Sequence, residues 1–275
     1  MPMTFAPIFA AMNEEFIGSG RSYSALTTGL DGYNFSRLSA EPHELDYAFG
    51  AVRLGLRAQH VAIPRGFAPE AGAPLVNLYA GPGYTGDDQN PNPEGMGIVT
   101  SEAGVAIAVT FADAPSATIA HPAGVIAAVS GIWHQLPNGT VRETIELMRH
   151  EVEDVLNDVF RPEHLFVNIS AGAREDTFLL DERVDERLLV GDCARYGHRV
   201  IRVFGQKRRY GLDLSGLFYE MWRNQGIPRD QITFDARNCM TARNDAGHLV
   251  LPSKRTSEES GNDSWKSAVH AIVRN

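Results

Sequence analysis

The stretch VTSEAGVAIAVTFADAPSATIAHPAGVIAAVSGIWHQLPNG, residues 99–139, decides the fold class of this chain. It contains two nearly continuous apolar runs, Val105–Phe111 and Gly124–Val129, and such runs are typical of buried strands. The segment His121–Gly124, of sequence HPAG, supplies a turn between them. This part of the chain therefore predicts two buried strands, and the residues that follow predict a helix over Thr140–Val159.

The predicted helix has apolar residues at helical spacing along one face. The members of this stripe are Val141, Ile145, Met148, Val152, Val155 and Val159. Thr140 and Glu143 have the spacing of a capping box, in which the first residue caps the helix and the acidic residue bonds back to it. The pattern predicts Thr140 as the N-cap.

Strands and helices also alternate on both sides of this stretch. Helices are predicted over Glu41–Leu56 and Leu212–Asn224, and Gly226 and Pro228 are expected to end the second one. Short strands are predicted at Pro74–Ala80, Leu165–Ile169 and Ala268–Val273. Because no repeat or long linker interrupts this alternation, we expect a single α/β (α+β) domain over residues 1–275.

Composition restricts the function further. The 275 residues carry a formal net charge of -9, which disfavours a nucleic-acid partner because such binding depends on Lys and Arg. No apolar run approaches the length of a membrane span, and no signal-peptide pattern is present, so we expect no membrane partner and a cytoplasmic location. Cys193 and Cys239 form no CxxC pair, and a disulfide between them stays open.

Several motifs resemble the laccase-domain family of YfiH-like proteins, also called multicopper polyphenol oxidases or purine nucleoside phosphorylases. Residues 99–139 keep the family's Ala-Asp turn at Ala112-Asp113, the strand GVIAAV, Trp133 and the helix that follows. Further matches in the family's order are Gly20-Arg21-Ser22, Tyr33-Asn34-Phe35, Asn168–Gly172, Leu212–Leu214, Cys239–Thr241 and Pro252–Arg255. The resemblance implies one YfiH-like domain of layered mixed sheets flanked by helices.

The resemblance also implies a zinc site of two histidines and one cysteine, with activity on purine nucleosides. When the family's motifs are placed on this chain, the ligand positions hold Tyr79, Ala114 and Ser130. Alanine has no donor atom, and the neutral oxygens of serine and tyrosine are poor zinc ligands. We therefore expect no metal and no cofactor.

The expected site is a pocket lined by polar side chains at these matched positions. The candidate catalytic residues are Tyr79, Asp113, Ser130 and His134, since tyrosine, aspartate and histidine can act as general acids or bases. The candidate substrate-binding residues are Arg21, Asn77, Trp133, Ser170, Cys239, Lys254 and Arg255. Lys254 and Arg255 suit either a phosphate or carboxylate or a solvated basic turn.

Some of these residues have competing roles. Bracing the turn is the favoured role of Asp113, and Trp133 is expected to pack in the core. A nucleophile–base pair of Ser130 and His134 is disfavoured, because residues at this spacing face each other only on a helix.

Three functions remain open. The first is an enzyme whose pocket performs a metal-independent cyclisation, isomerisation, elimination or hydrolysis of a small molecule, as in bacterial specialised-metabolite biosynthesis. The second is a non-catalytic member that binds a small molecule or a partner. The third is a zinc-dependent nucleoside enzyme whose ligands the motif placement has missed. The oligomeric state stays open.

Overall fold

The computed structural model describes residues 22–26, 60–62, 64, 74–79, 95–180, 196, 201–204, 209–243, 245, 253 and 268–274. Its strands are β1 (Ser22–Leu26), β2 (His60–Ala62), β3 (Val76–Leu78), β4 (Gly97–Thr100), β5 (Val105–Phe111), β6 (Ser116–Ala120), β7 (Ile126–Ser130), β8 (Phe166–Ile169), β9 (Leu179–Leu180), β10 (Ile201–Phe204), β11 (Arg209–Leu212), β12 (Ile232–Phe234) and β13 (Ala268–Arg274). Its α-helices are α1 (Thr140–His150) and α2 (Leu214–Arg223).

These strands form three sheets. One sheet has the order β12-β8-β6-β7-β4-β3, a second has the order β1-β13-β5-β2, and a third has the order β10-β11-β9. Parallel pairs (β3 with β4, β2 with β5, β12 with β8) occur beside antiparallel ones. The predicted α/β class with mixed sheets and helices is therefore confirmed.

The six-stranded sheet is buried on both faces, which explains the continuous apolar runs of its strands. On β7, Ala127 and Val129 pack in the cluster that contains α1 and α2 residues. Ile126 and Ala128 face the other way and pack with residues of the four-stranded sheet such as Ile107. Full burial of an Ile or Val side chain contributes about 1.5–3 kcal/mol, so packing on both faces stabilises this sheet.

The fold-deciding stretch contains three strands where the sequence predicts two. The run Val105–Phe111 is confirmed as β5 in both its bounds, and the second run is confirmed as β7. The missed strand is β6, and the HPAG turn joins β6 to β7. In that turn Gly124 donates its N–H to the carbonyl of His121 (2.8 Å) and adopts a φ of 93°, which favours glycine.

The helix predicted over Thr140–Val159 ends earlier than expected. After α1 the chain makes a π-helical turn over Glu151–Val155, closed by a bond from Leu156 N–H to the Glu151 carbonyl (3.0 Å). The wider turn rotates the later residues away from the core. Val155 is therefore 54% exposed, and Val159, which lies beyond the end of the helical turns, is 61% exposed. The prediction that they continue the buried stripe is wrong.

The predicted capping box is also wrong. Gly139 is the N-cap of α1, and Thr140 is its first helical residue. The Glu143 carboxylate instead accepts hydrogen bonds from the backbone N–H groups of Leu75 (2.7 Å) and Val76 (3.2 Å). Glu143 therefore anchors the start of β3 to α1, a long-range contact that competes successfully with the local cap.

The second predicted helix is confirmed as α2, which begins two residues later than expected. Asp213 caps it by accepting a bond from the Gly216 N–H (2.8 Å), and Gly226 has a φ of 89° beyond its end. The predicted strands at Pro74–Ala80, Leu165–Ile169 and Ala268–Val273 are confirmed as β3, β8 and β13. The predicted helix Glu41–Leu56 lies outside the described residues, as does Cys193. Within the described part of the chain, no helix combines the length and apolar character that a membrane crossing needs.

Candidate functional site

The candidate site lies at the end of the six-stranded sheet where β7 stops and β6 starts. Gly131 N–H bonds to the Pro115 carbonyl (2.7 Å), which joins the end of β7 to the loop before β6. Ala173 N–H bonds to the carbonyl of Asp113 (2.8 Å), which brings in the segment after β8. Three of the predicted site residues, Asp113, Ser130 and Cys239, are placed in this region by these and the following contacts.

Asp113 is held in place by bonds to three separate segments. Its carboxylate Oδ1 accepts a hydrogen bond from the Ser253 hydroxyl (2.6 Å). Its backbone carbonyl accepts from Ala173 N–H and lies 3.8 Å from the Cys239 thiol sulfur, which donates to it. This geometry gives Asp113 the bracing role that the sequence favoured. Lys254 and Arg255 directly follow Ser253 but lie outside the described residues.

Cys239 presents a neutral thiol in this region. It is a free cysteine with a fully buried side chain. Burial, assisted by the nearby Asp113 carboxylate, raises the pKa of the thiol well above its usual value. The thiolate is the form that attacks substrates, and burial favours the neutral thiol of Cys239 over it.

Ser130 is the last residue of β7, as expected for a strand end, and it is only 6% exposed. Its hydroxyl has no hydrogen-bond partner among the described residues. The neighbouring Gly131 lets α2 approach closely, because a Cβ at that position would lie 3.0 Å from the Phe218 ring. Ser130 is thus a buried polar group at the edge of a tightly packed region.

Ser170 belongs to a buried polar network that sequence reasoning missed. Its hydroxyl lies 3.0 Å from the Ser116 hydroxyl, which lies 2.9 Å from Nδ1 of His270. Thr118 Oγ1 lies 3.2 Å from Nε2 of the same ring. Complete burial lowers the pKa of His270 to about 3, so the ring is neutral at pH 7. The available signal was a single histidine inside the apolar strand AVHAIV.

His134 and Trp133 lie just beyond the end of β7. His134 is exposed, and its ring packs edge-on against Trp133 at 5.4 Å between centroids. Trp133 is half-buried and packs against the main core cluster, as expected. Because the Ser130 hydroxyl bonds to none of the described residues, the disfavoured Ser130–His134 pair is not formed.

Tyr79 lies at the opposite end of β4 from Ser130. Tyr79 N–H bonds to the Val99 carbonyl, whereas Ser130 N–H bonds to the Met96 carbonyl. Met96 and Val99 are three residues apart, which corresponds to about 10 Å along a strand at about 3.3 Å per residue. In addition, β3 and β7 flank β4 on opposite sides. Burial, and to a lesser extent the Glu102 carboxylate beyond the far end of β4, raises the pKa of the Tyr79 hydroxyl. The backbone of Tyr79 is therefore at the other end of β4 from that of Ser130.

The remaining candidates divide into two groups. Asn77 is buried on β3, and its side-chain amide packs against Gly95. A Cβ added at Gly95 would lie 2.5 Å from Nδ2 of Asn77. Arg21 lies outside the described residues together with Lys254 and Arg255. The structure thus brings Asp113, Ser130, Ser170 and Cys239 to one region and places Tyr79 elsewhere.

Among the described residues, the donors around β7 do not fit a bound transition metal. Ala114 offers no donor atom and Ser130 a neutral hydroxyl, while Cys239 is a protonated thiol bonded to a carbonyl. Zinc sites use at least three nitrogen, thiolate or carboxylate ligands, and copper sites use imidazole and thiolate. Within the described ranges, no three His, Cys, Asp or Glu residues are grouped in a way that could hold a metal ion.

The layered mixed sheets and helices define an α/β protein with a group of buried polar residues at the end of β7. The chain belongs to the family described as multi-copper polyphenol oxidoreductase laccase, whose family model matches residues 82–246. No curated protein matches the chain.

Solved structures show the same fold at low sequence identity. The hypothetical protein YfiH of Bacillus licheniformis has 11% identity and a TM-score of 0.70, covering 92% of each chain. YlmD of Geobacillus stearothermophilus has 17% identity and a TM-score of 0.69, covering 100% of each chain. A Neisseria meningitidis protein described by the family model DUF152 has 14% identity and a TM-score of 0.65, covering 96% of this chain and 98% of its own.

Proposed function

We propose that this chain is an enzyme that acts on a small molecule at the end of β7 without a metal ion. The observation that carries the proposal is the Ser130 hydroxyl, which is buried and has no partner among the described residues. A buried polar group without a hydrogen bond costs about 1–3 kcal/mol. A ligand that bonds to Ser130 would remove this cost.

The surroundings of Ser130 favour orientation of a ligand over metal-activated water. Asp113 is committed to Ser253, and the Cys239 thiol is neutral. The reaction classes that suit such a site are cyclisation, isomerisation, elimination and hydrolysis, in which positioning and hydrogen bonding lower the barrier. A single domain over residues 1–275, a bacterial cytoplasmic setting and a role in specialised-metabolite biosynthesis belong to the same proposal.

Two other functions compete with it. A non-catalytic binding protein would also keep a ligand at Ser130, so that observation alone does not separate binding from catalysis. A zinc-dependent nucleoside enzyme would have to recruit ligands from outside the described residues, and it would convert adenosine or inosine.

Activity profiling separates these functions. The purified full chain and its Ser130→Ala variant are each incubated with a bacterial metabolite extract containing EDTA, and the products are followed by mass spectrometry. We expect the wild type, but not the variant, to deplete one compound and form another. Turnover that requires added zinc, or turnover of adenosine, would favour the nucleoside enzyme. Stable binding of a compound without any product would favour the binding protein.

A further inference from the structure

Three serines form a row across three neighbouring strands beside the proposed site. Ser130 on β7 pairs in register with Ser116 on β6. Ser170, directly after β8, exchanges bonds with the same residue: Ser170 N–H donates to the Ser116 carbonyl, and Ser116 N–H donates to the Ser170 hydroxyl, both at 2.9 Å. Ser116 and Ser170 are completely buried, whereas Ser130 keeps 6% of its surface exposed. Ser130 is thus the outer end of the row.

His270 holds the middle of this row from the facing sheet. It projects from β13, and its two ring nitrogens contact the hydroxyls of Ser116 and Thr118. Ser116 and Thr118 are separated by one residue on β6, so both point to the same side of the sheet. The imidazole therefore fixes the Ser116 side chain between the two sheets.

The hydroxyl protons of the row can be assigned in part. When Ser170 donates its proton to the Ala171 carbonyl (3.1 Å), Ser116 donates to the Ser170 hydroxyl and accepts from Nδ1–H of His270. In that arrangement Ser116 uses two of its three hydrogen-bonding positions on these two partners. The hydroxyl of Ser130, about 5 Å away across the strands, has a donor and two acceptor positions for a ligand.

We propose that Ser130, supported by Ser116 and His270, forms a subsite for an uncharged oxygen-bearing group of the ligand, a hydroxyl or a carbonyl. This inference rests on the proposed small-molecule function and names the chemistry that Ser130 recognises. A hydroxyl can donate to a carbonyl or exchange bonds with another hydroxyl. A carboxylate or an ammonium group would lose its hydration here against neutral partners, at a cost of several kcal/mol.

Matched fragments test the subsite directly. Benzyl alcohol, acetophenone, benzoate and benzylamine share one ring and differ in the polar group. Their dissociation constants are measured by NMR titration of the full-length chain, the Ser130→Ala variant and a control, Ser101→Ala. Ser101 lies just beyond the far end of β4 and bonds to Glu151, so its loss leaves the subsite intact.

We expect the alcohol and the ketone to bind about tenfold more weakly to Ser130→Ala and equally well to Ser101→Ala. We also expect both charged fragments to bind more weakly than the neutral ones and to ignore the substitution at Ser130. Tight, Ser130-dependent binding of benzoate or benzylamine would overturn the neutral subsite and leave the proposed function standing. If the binding of no fragment depends on Ser130 while Ser130-dependent turnover occurs, only the subsite is refuted. If neither fragment binding nor turnover depends on Ser130, both proposals fail.

Discussion

Replacing Ser130 with alanine should stabilise the protein, although Ser130 is a proposed functional residue. Ser130 is 6% exposed, and its buried hydroxyl bonds to none of the described residues. The substitution removes an uncompensated polar atom and keeps the Cβ that packs in the sheet. The free energy of unfolding should therefore rise by about 1 kcal/mol, with a melting temperature higher by about 2–4 °C.

Ser116 provides a matched control, because it faces Ser130 in register on the adjacent strand. Ser116→Ala removes the hydroxyl at 2.9 Å from His270 Nδ1 and should lower the free energy of unfolding by about 2 kcal/mol. Both variants are measured by urea unfolding followed by circular dichroism at pH 7. The reasoning is refuted if Ser130→Ala is destabilised as much as Ser116→Ala, since Ser130 would then belong to the internal network.

Three further predictions concern other buried groups. His121 and His270 have pKa values of about 4 and about 3 in the folded protein against 6.5 for an unperturbed histidine, so the unfolded chain binds more protons below pH 6.5. The free energy of unfolding should therefore fall as the pH drops from 6.5 towards 4. In urea unfolding, His270→Gln should reduce this dependence of the free energy on pH by about 1.4 kcal/mol per pH unit. An unchanged pH dependence would exclude a neutral buried His270. Glu143→Ala should cost about 2 kcal/mol through loss of its two backbone bonds to the start of β3. Arg142→Ala, which removes an exposed ion pair with Glu146, should cost less than about 1 kcal/mol, and equal losses would contradict the anchoring role. Cys239 should react with iodoacetamide at pH 8 far more slowly in the native chain than in urea, and rapid native alkylation, located by peptide mass spectrometry, would show a thiolate instead.

The apolar pattern identified most of the core strands because the six-stranded sheet is covered on both faces. The continuous run Gly124–Val129 contains most of β7, whose residues pack in one core cluster on one face of this sheet and in the other cluster on the opposite face. Strand β6 was missed because its sequence SATIA places Ser116 and Thr118 on a buried face. Their partner, His270, lies more than a hundred residues later, and local periodicity cannot reveal such a pairing.

A long-range contact and a backbone irregularity explain the two wrong predictions at α1. Glu143 and Thr140 have the spacing of a cap, but the free N–H groups at the start of β3 take the carboxylate. The stripe continues to Val159 in sequence, yet the π-helical turn at Glu151 changes the helical phase. In both cases the local pattern is real, and a tertiary contact or a backbone irregularity decides the outcome.

The sequence could predict only part of the grouping of candidate site residues, because strand directions decide which strand ends meet. The motif order placed Asp113, Ser130, Ser170 and Cys239 near one another, because all four end or follow strands of one sheet or pack against that end. Tyr79 directly follows β3, which runs parallel to β4, whereas β7 runs antiparallel to β4. The end of β3 and the end of β7 therefore lie at opposite ends of β4. Only the strand directions show that Tyr79 reaches the opposite end.

The metal content of the purified protein tests the central claim most directly. The full chain is produced in medium containing both zinc and copper, dialysed against a chelator, and measured by inductively coupled plasma mass spectrometry. Because the donors around Ser130 and Ala114 do not suit these metals, we expect far less than one ion per chain. One zinc or copper ion per chain that survives dialysis would contradict a metal-independent site.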